Sequence, residues 1–75
     1  MSTISRRIGN NIRIYRRANR MTLDELADRI HKSKATVGKY EQGAISIDVD
    51  TLFDVAAALK IAPSLLLTDP VPEKQ

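Results

Sequence analysis

The chain has no cysteine and no tryptophan, and only three glycines and three prolines among its 75 residues. Without cysteine it has neither a disulfide nor a thiolate metal site to brace a small fold. Stability must come from packing. A chain of this size buries only about 60% of the surface its unfolded form exposes, so the core is modest and a partner subunit is a natural supplement. No apolar run approaches the roughly 20 residues of a membrane span. The N-terminus is polar and basic, without the apolar stretch of a signal peptide. These absences lead to the expectation of a cytoplasmic protein with no membrane partner. The single histidine, His31, has only Asp28 at helical spacing beside it, so no metal site is expected. Strand signals are equally scarce. Only Ala44-Ile45-Ser46-Ile47-Asp48-Val49-Asp50 alternates with period two. It is short, lacks a partner strand and lies between helical patterns, so it reads as an extended loop running into a helix.

Positive charge, by contrast, is abundant and lopsided. Residues 1–40 carry ten Lys and Arg against three Asp and Glu, whereas residues 41–75 carry two against six. A chain polarised in this way points to an anionic partner for its first half.

The helical patterns follow in order. Ile8, Ile12 and Tyr15 recur at helical spacing within Ser5 to Ala18, and Arg6, Arg7, Arg13 and Arg17 lie mostly off that stripe. Asn19-Arg20 ends this helix, and Asn19 can take the left-handed conformation that stops helices. Thr22 with Glu25 has capping-box spacing and opens a second helix, Leu23 to Ile30, with Leu23, Leu26, Ala27 and Ile30 facing inward. After His31-Lys32, Ser33 is the N-cap of a third helix that Gly43 ends. A fourth runs from Asp48 or Val49 to Lys60, with Leu52, Phe53, Val55, Ala56 and Leu59 on its apolar side. Pro63 opens a final short helix to Leu67. The proline-bearing segment 68–75 reads as a flexible tail or the start of a linker, leaving 1–67 as one all-α domain.

The third helix is the most informative. At about 100° per residue, Val37, Tyr40 and Glu41 fall on one side, and Lys34, Ala35, Gly38 and Lys39 on the other. A narrow cationic face almost free of bulk suits close approach to a polyanion, and the DNA major groove is the obvious one. The second helix, turn and third helix have helix-turn-helix spacing. Ala27 is the small residue for the helix crossing, and Val37 is a compact apolar plug. His31, four residues after Ala27, stands where a positive φ is needed, a region in which histidine is enriched among non-glycine residues.

With Ile8-Gly9, Ile12, Arg16, Thr22, Glu25-Leu26-Ala27, Ser33, Thr36-Val37, Tyr40-Glu41-Gln42-Gly43, Thr51-Leu52 and Ala58-Leu59 in place, residues 8–67 resemble a Cro/C1-type (XRE family) helix-turn-helix domain. The resemblance implies a five-helix bundle of the lambda-repressor-like type that binds DNA as a homodimer. It implies base-edge contacts for Lys34, Ala35 and Lys39 and phosphate contacts for Ser33 and Gln42; Gly38 is expected among the base-reading positions and Thr36 among the phosphate contacts. It also implies an internal salt bridge between Arg16 and Glu41. The chain departs from the family where Leu23 replaces a common glutamine and where Ala44-Ile45-Ser46 lacks basic residues. Phosphate binding is therefore expected to lean on Arg6, Arg7, Arg13 and Lys32. Ile61, Leu65, Leu66 and Leu67 are more apolar than one small core needs and are the expected dimer interface.

The resulting expectation is a sequence-specific DNA-binding regulator, a repressor of bacterial or phage origin, on a palindromic double-stranded operator. It needs no cofactor or small-molecule ligand and catalyses nothing: Asp24, Glu25 and Asp28 suit a helix N-terminus rather than an acid–base site. Two alternatives stand beside it. One is the DNA-reading domain of a longer regulator. The other is a protein-interaction module that kept the fold and lost the DNA face.

Overall fold

The computed structural model describes residues 3–69, and among these there is no strand. Four α-helices follow in order: α1 (Thr3–Ala18), α2 (Leu23–Arg29), α3 (Lys34–Gln42) and α4 (Val49–Leu59). The chain then makes one 3-10 turn, Pro63–Leu66.

Each of the three later helices starts on a side-chain cap. Thr22 Oγ1 accepts from Glu25 N at 3.1 Å, while Thr22 N donates to Glu25 Oε1 at 2.7 Å, a complete capping box. Ser33 Oγ accepts from Thr36 N at 3.1 Å. Asp48 Oδ2 accepts from Thr51 N at 3.2 Å, and Thr51 Oγ1 donates to Asp48 Oδ1 at 2.6 Å. A left-handed residue marks each exit: Arg20 (φ 56°), His31 (φ 58°), Gly43 (φ 72°) and Lys60 (φ 60°). His31 thus has the positive φ that its place in the turn requires. The first exit falls at Asn19-Arg20 as expected, with the left-handed residue one position later. Arg20, not Asn19, is left-handed, and the Asn19 amide is engaged elsewhere: Nδ2 donates to Tyr15 O at 2.9 Å and to Leu59 O at 3.1 Å, tying α1 to the end of α4.

The buried core joins Ile8 and Ile12 of α1, Leu26, Ala27 and Ile30 of the α2 region, Val37 and Tyr40 of α3, and Leu52, Val55, Ala56 and Leu59 of α4. Phe53 does not belong to it and is 56% exposed. The buried side of α4 is filled by residues 52, 55, 56 and 59, and Phe53 lies about 100° round from Leu52.

The expected fifth helix is a single 3-10 turn, closed by Leu65 N to Ala62 O and Leu67 N to Ser64 O, each at 3.0 Å. The segment is too short for an α-helical nucleus, and two carbonyls at its end are taken by α1. The buried Asn11 amide donates to Leu66 O at 2.9 Å and to Thr68 O at 2.7 Å. Arg7 adds an ion pair to Asp69 at 2.8 Å. Residues 68 and 69, placed at the start of the tail by sequence, are therefore tied to α1. Residues 70–75 of that tail lie outside the described residues. Leu66 is 0% exposed and belongs to the protomer's own core, which corrects its place in the expected dimer interface.

Candidate nucleic-acid interface

Helix α3 is held from behind and left open in front. Val37 and Tyr40 are buried against the core. At the C-terminal end, α1 crosses so closely that a Cβ on Gly9 would press into the Tyr40 and Glu41 carbonyls. Gly43 then turns the chain beside Arg6, leaving no room for a Cβ.

The Arg16–Glu41 pair locks this crossing. Arg16 Nε donates to Glu41 Oε2 at 2.6 Å and Nη2 to Glu41 Oε1 at 3.1 Å, a bidentate fork. Nη1 donates to Met21 O at 2.8 Å, so one guanidinium joins α1, α3 and the loop before α2. The hydrogen bond to the Glu41 carboxylate holds the Arg16 pKa above its ordinary value, against the opposing effect of burial and with added help from the opposite charge.

The other side of α3 carries the residues singled out by sequence. Lys34, Ala35, Lys39 and Gln42 are exposed, and Thr36 and Gly38 are half-buried. Ser33 Oγ donates to Thr36 Oγ1 at 2.9 Å while capping the helix, so both hydroxyls have structural duties at this edge. Lys34 Nζ comes within 3.9 Å of Asp24 on α2, an exposed pair that holds little energy. Glu25 is occupied as the cap of α2. The backbone bond from Thr22, reinforced by the Thr22 side chain, lowers its pKa. It is thereby a structural carboxylate.

Beside this face an open cleft of about 340 Å³ separates α1 from α3. It is lined by Arg13 and Arg17 of α1, Leu23 of α2, Gly38 and Gln42 of α3, and the Arg16–Glu41 pair. Arg17, which lies off the apolar stripe of α1, is not among the expected phosphate ligands, yet it lines this cleft. Its signal is the spacing of four from Arg13, which places both on one side of α1. Other expected phosphate ligands are dispersed. Arg6 lies beside Gly43. Arg7 is engaged with Asp69 and is not brought to the cleft. Lys32 sits near Asp48, whose pKa is lowered first by its bonds with Thr51 and slightly by the Lys32 charge.

Of the expected dimer residues, Leu65 and Leu67 are 39% and 47% exposed. Ile61 is partly buried against the core. Val49 and Phe53 add exposed apolar surface on α4.

A capped α2, a turn through a left-handed His31 and a braced α3 with a bare cationic front make up a DNA-binding helix-turn-helix. Residues 12–66 match the HTH_3 helix-turn-helix family, and the chain belongs to that family of transcription regulators. The restriction-modification controller protein C.AhdI from Aeromonas hydrophila is similar at 26% identity and a TM-score of 0.79, over 83% of this chain and 94% of that one. The clp gene regulator ClgR from C. glutamicum shares the fold at 24% identity and a TM-score of 0.84, over 89% of this chain and 87% of that one. The BldD DNA-binding domain of S. venezulae shares it at 22% identity and a TM-score of 0.79, over 89% of this chain and 100% of the domain. No curated protein matches the sequence.

Proposed function

We propose that the protein is a sequence-specific repressor that binds a palindromic operator as a homodimer. The observation that carries this reading is the front of α3: Lys34, Ala35 and Lys39 are exposed while Val37 and Tyr40 of the same helix are buried. Set into the major groove, the two lysines donate to guanine O6 and N7, and the Ala35 methyl packs on a thymine methyl. Ser33 at the cap of α3 and Thr36 and Gln42 on it, with Arg13 across the cleft and Arg6 and Lys32 outside it, supply phosphate contacts that fix orientation without reading sequence. Leu65 and Leu67, with the partly buried Ile61, offer the apolar surface for a second copy. A two-fold dimer sets its two α3 helices in successive major grooves, about 34–36 Å apart. The reading requires no cofactor, no small-molecule ligand and no catalysed reaction.

Selection of bound sequences from a random duplex pool tests the proposal. Enrichment of an inverted repeat with half-site centres about one helical turn apart is expected. Recovery of unenriched sequence would reject specific reading, and enrichment of a lone half-site would reject the dimer. Whether the bound operator silences a promoter is read by a reporter placed behind it: repression is expected, and activation would contradict the repressor role.

A further inference from the structure

Two of the three glycines have a structural reason, and the third has none. Gly9 is needed where α1 crosses the α3 carbonyls, and Gly43 for its left-handed turn against Arg6. Gly38 lies inside α3 without a positive φ, and a Cβ built there would meet no atom within 4 Å. Glycine in a helix interior gives up more backbone freedom on folding than alanine does, and so weakens the helix. The fold bears that cost and obtains no packing in return.

What the missing side chain leaves open is the wall of the cleft between α1 and α3. Arg13 and Arg17 stand on the facing wall, and neither forms an ion pair among the described residues. Gln42, one turn beyond Gly38, adds an amide donor. The third arginine of the cleft, Arg16, is already neutralised by Glu41. The cleft therefore offers two positive charges without an ion-pair partner among the described residues and an amide around an open floor, with Leu23 at its edge. Its walls are fixed relative to one another by the Gly9 crossing and the Arg16–Glu41 fork. On α3, residues 34, 38 and 42 form one row, and 35 and 39 lie in the next row round the helix.

We propose that Gly38 is a notch for a DNA backbone phosphodiester. The absent side chain lets one phosphate seat against α3, where Arg13, Arg17 and Gln42 hold it. This rests on the DNA-binding reading above and assigns the cleft to the sugar–phosphate backbone rather than to a base edge. The contact fixes the depth at which α3 enters the groove, and it is blind to sequence.

The test is equilibrium binding of the full chain to a selected duplex and to an unrelated duplex at several salt concentrations. Wild type, Gly38→Ala and Gly38→Leu are compared, with a thermal melt of each. Gly38→Ala is expected to melt about 4 °C or more above wild type, since alanine is the better helix former and meets no clash. It is nonetheless expected to bind both duplexes about tenfold more weakly, and Gly38→Leu on the order of a hundredfold more weakly. The slope of log K against log salt should become shallower by about 0.9 per protomer, the loss of one phosphate. In the Gly38→Leu background, Arg13→Ala should cost little more, because the site it serves is already closed. Unchanged affinity in both glycine variants overturns the notch and leaves the DNA-binding reading standing. So does an unchanged salt slope, or a loss confined to the selected duplex. A wild-type chain that binds neither duplex overturns the DNA-binding reading itself, and the notch with it.

Discussion

Replacing Glu41 with alanine isolates the contact that docks α1 on the reading helix. The side chains of Arg16 and Glu41 are 11% and 7% exposed, so solvent screens the pair little. Glu41→Ala leaves the guanidinium with Met21 O as its remaining bonded partner and its charge unpaired on the wall of the cleft. Breaking a buried pair in this way costs about 3–5 kcal/mol. A 75-residue domain has roughly 4–11 kcal/mol of total stability, so the single change removes about a quarter of it or more. The unfolding midpoint should fall by about 15 °C or more. Arg16→Ala strands the carboxylate and should cost a similar amount. The double replacement Arg16→Met with Glu41→Leu strands neither charge and fills the same volume with apolar groups, so a good part of the loss should return. Thermal and urea melts of the two alanine variants, the Arg16→Ala/Glu41→Ala double mutant and the Met/Leu pair measure the coupling. Strictly additive losses from the two alanine changes would refute the reasoning, because residues that share a bidentate contact cannot act independently.

Other expectations follow from the same structure. Lys34→Ala and Lys39→Ala should each cost about 1–3 kcal/mol of binding and relax base preference at different half-site positions. Arg13→Ala should weaken all sequences alike, and a reversal of these patterns in a binding-specificity screen would displace α3 as the reading element. His31→Gly should raise stability by roughly 1 kcal/mol, because a left-handed residue with a side chain is strained where glycine is not; a melt showing destabilisation would contradict this. Glu25 and Asp48 have pKa values lowered in the folded state by their bonds to Thr22 and Thr51. They therefore supply stability above their unfolded pKa and lose it as pH falls through the lower folded value. Melting temperature should decline below about pH 4, and Glu25→Gln with Asp48→Ala should flatten that decline.

The parts of this architecture that were legible in sequence are those set by neighbours along the chain. Thr22 with Glu25, and Ser33 with its backbone bond to residue 36, are local hydrogen-bond patterns and form as expected. The strained turn at His31 is likewise set by spacing. What was illegible depends on groups far apart in sequence. Asn19 could not be placed without knowing that its amide reaches the end of α4, 40 residues on. The final turn is capped by Asn11, which takes carbonyls 55 and 57 residues away. Leu66 and Phe53 exchanged their expected roles for a similar reason: both are apolar, and only packing decides which one the core has room for. The cationic face of α3 was visible from helical spacing. The cleft with Arg17 was not, since it exists only once α1 is laid across α3.

The most direct test of DNA binding by this face is the salt dependence of its affinity for duplex DNA. With on the order of 4–6 phosphates engaged per protomer, log K should fall with log salt at a slope of about −4 to −5 per protomer. A flat salt response would mean that no such set of lysines and arginines displaces counterions from DNA, and would contradict the assignment.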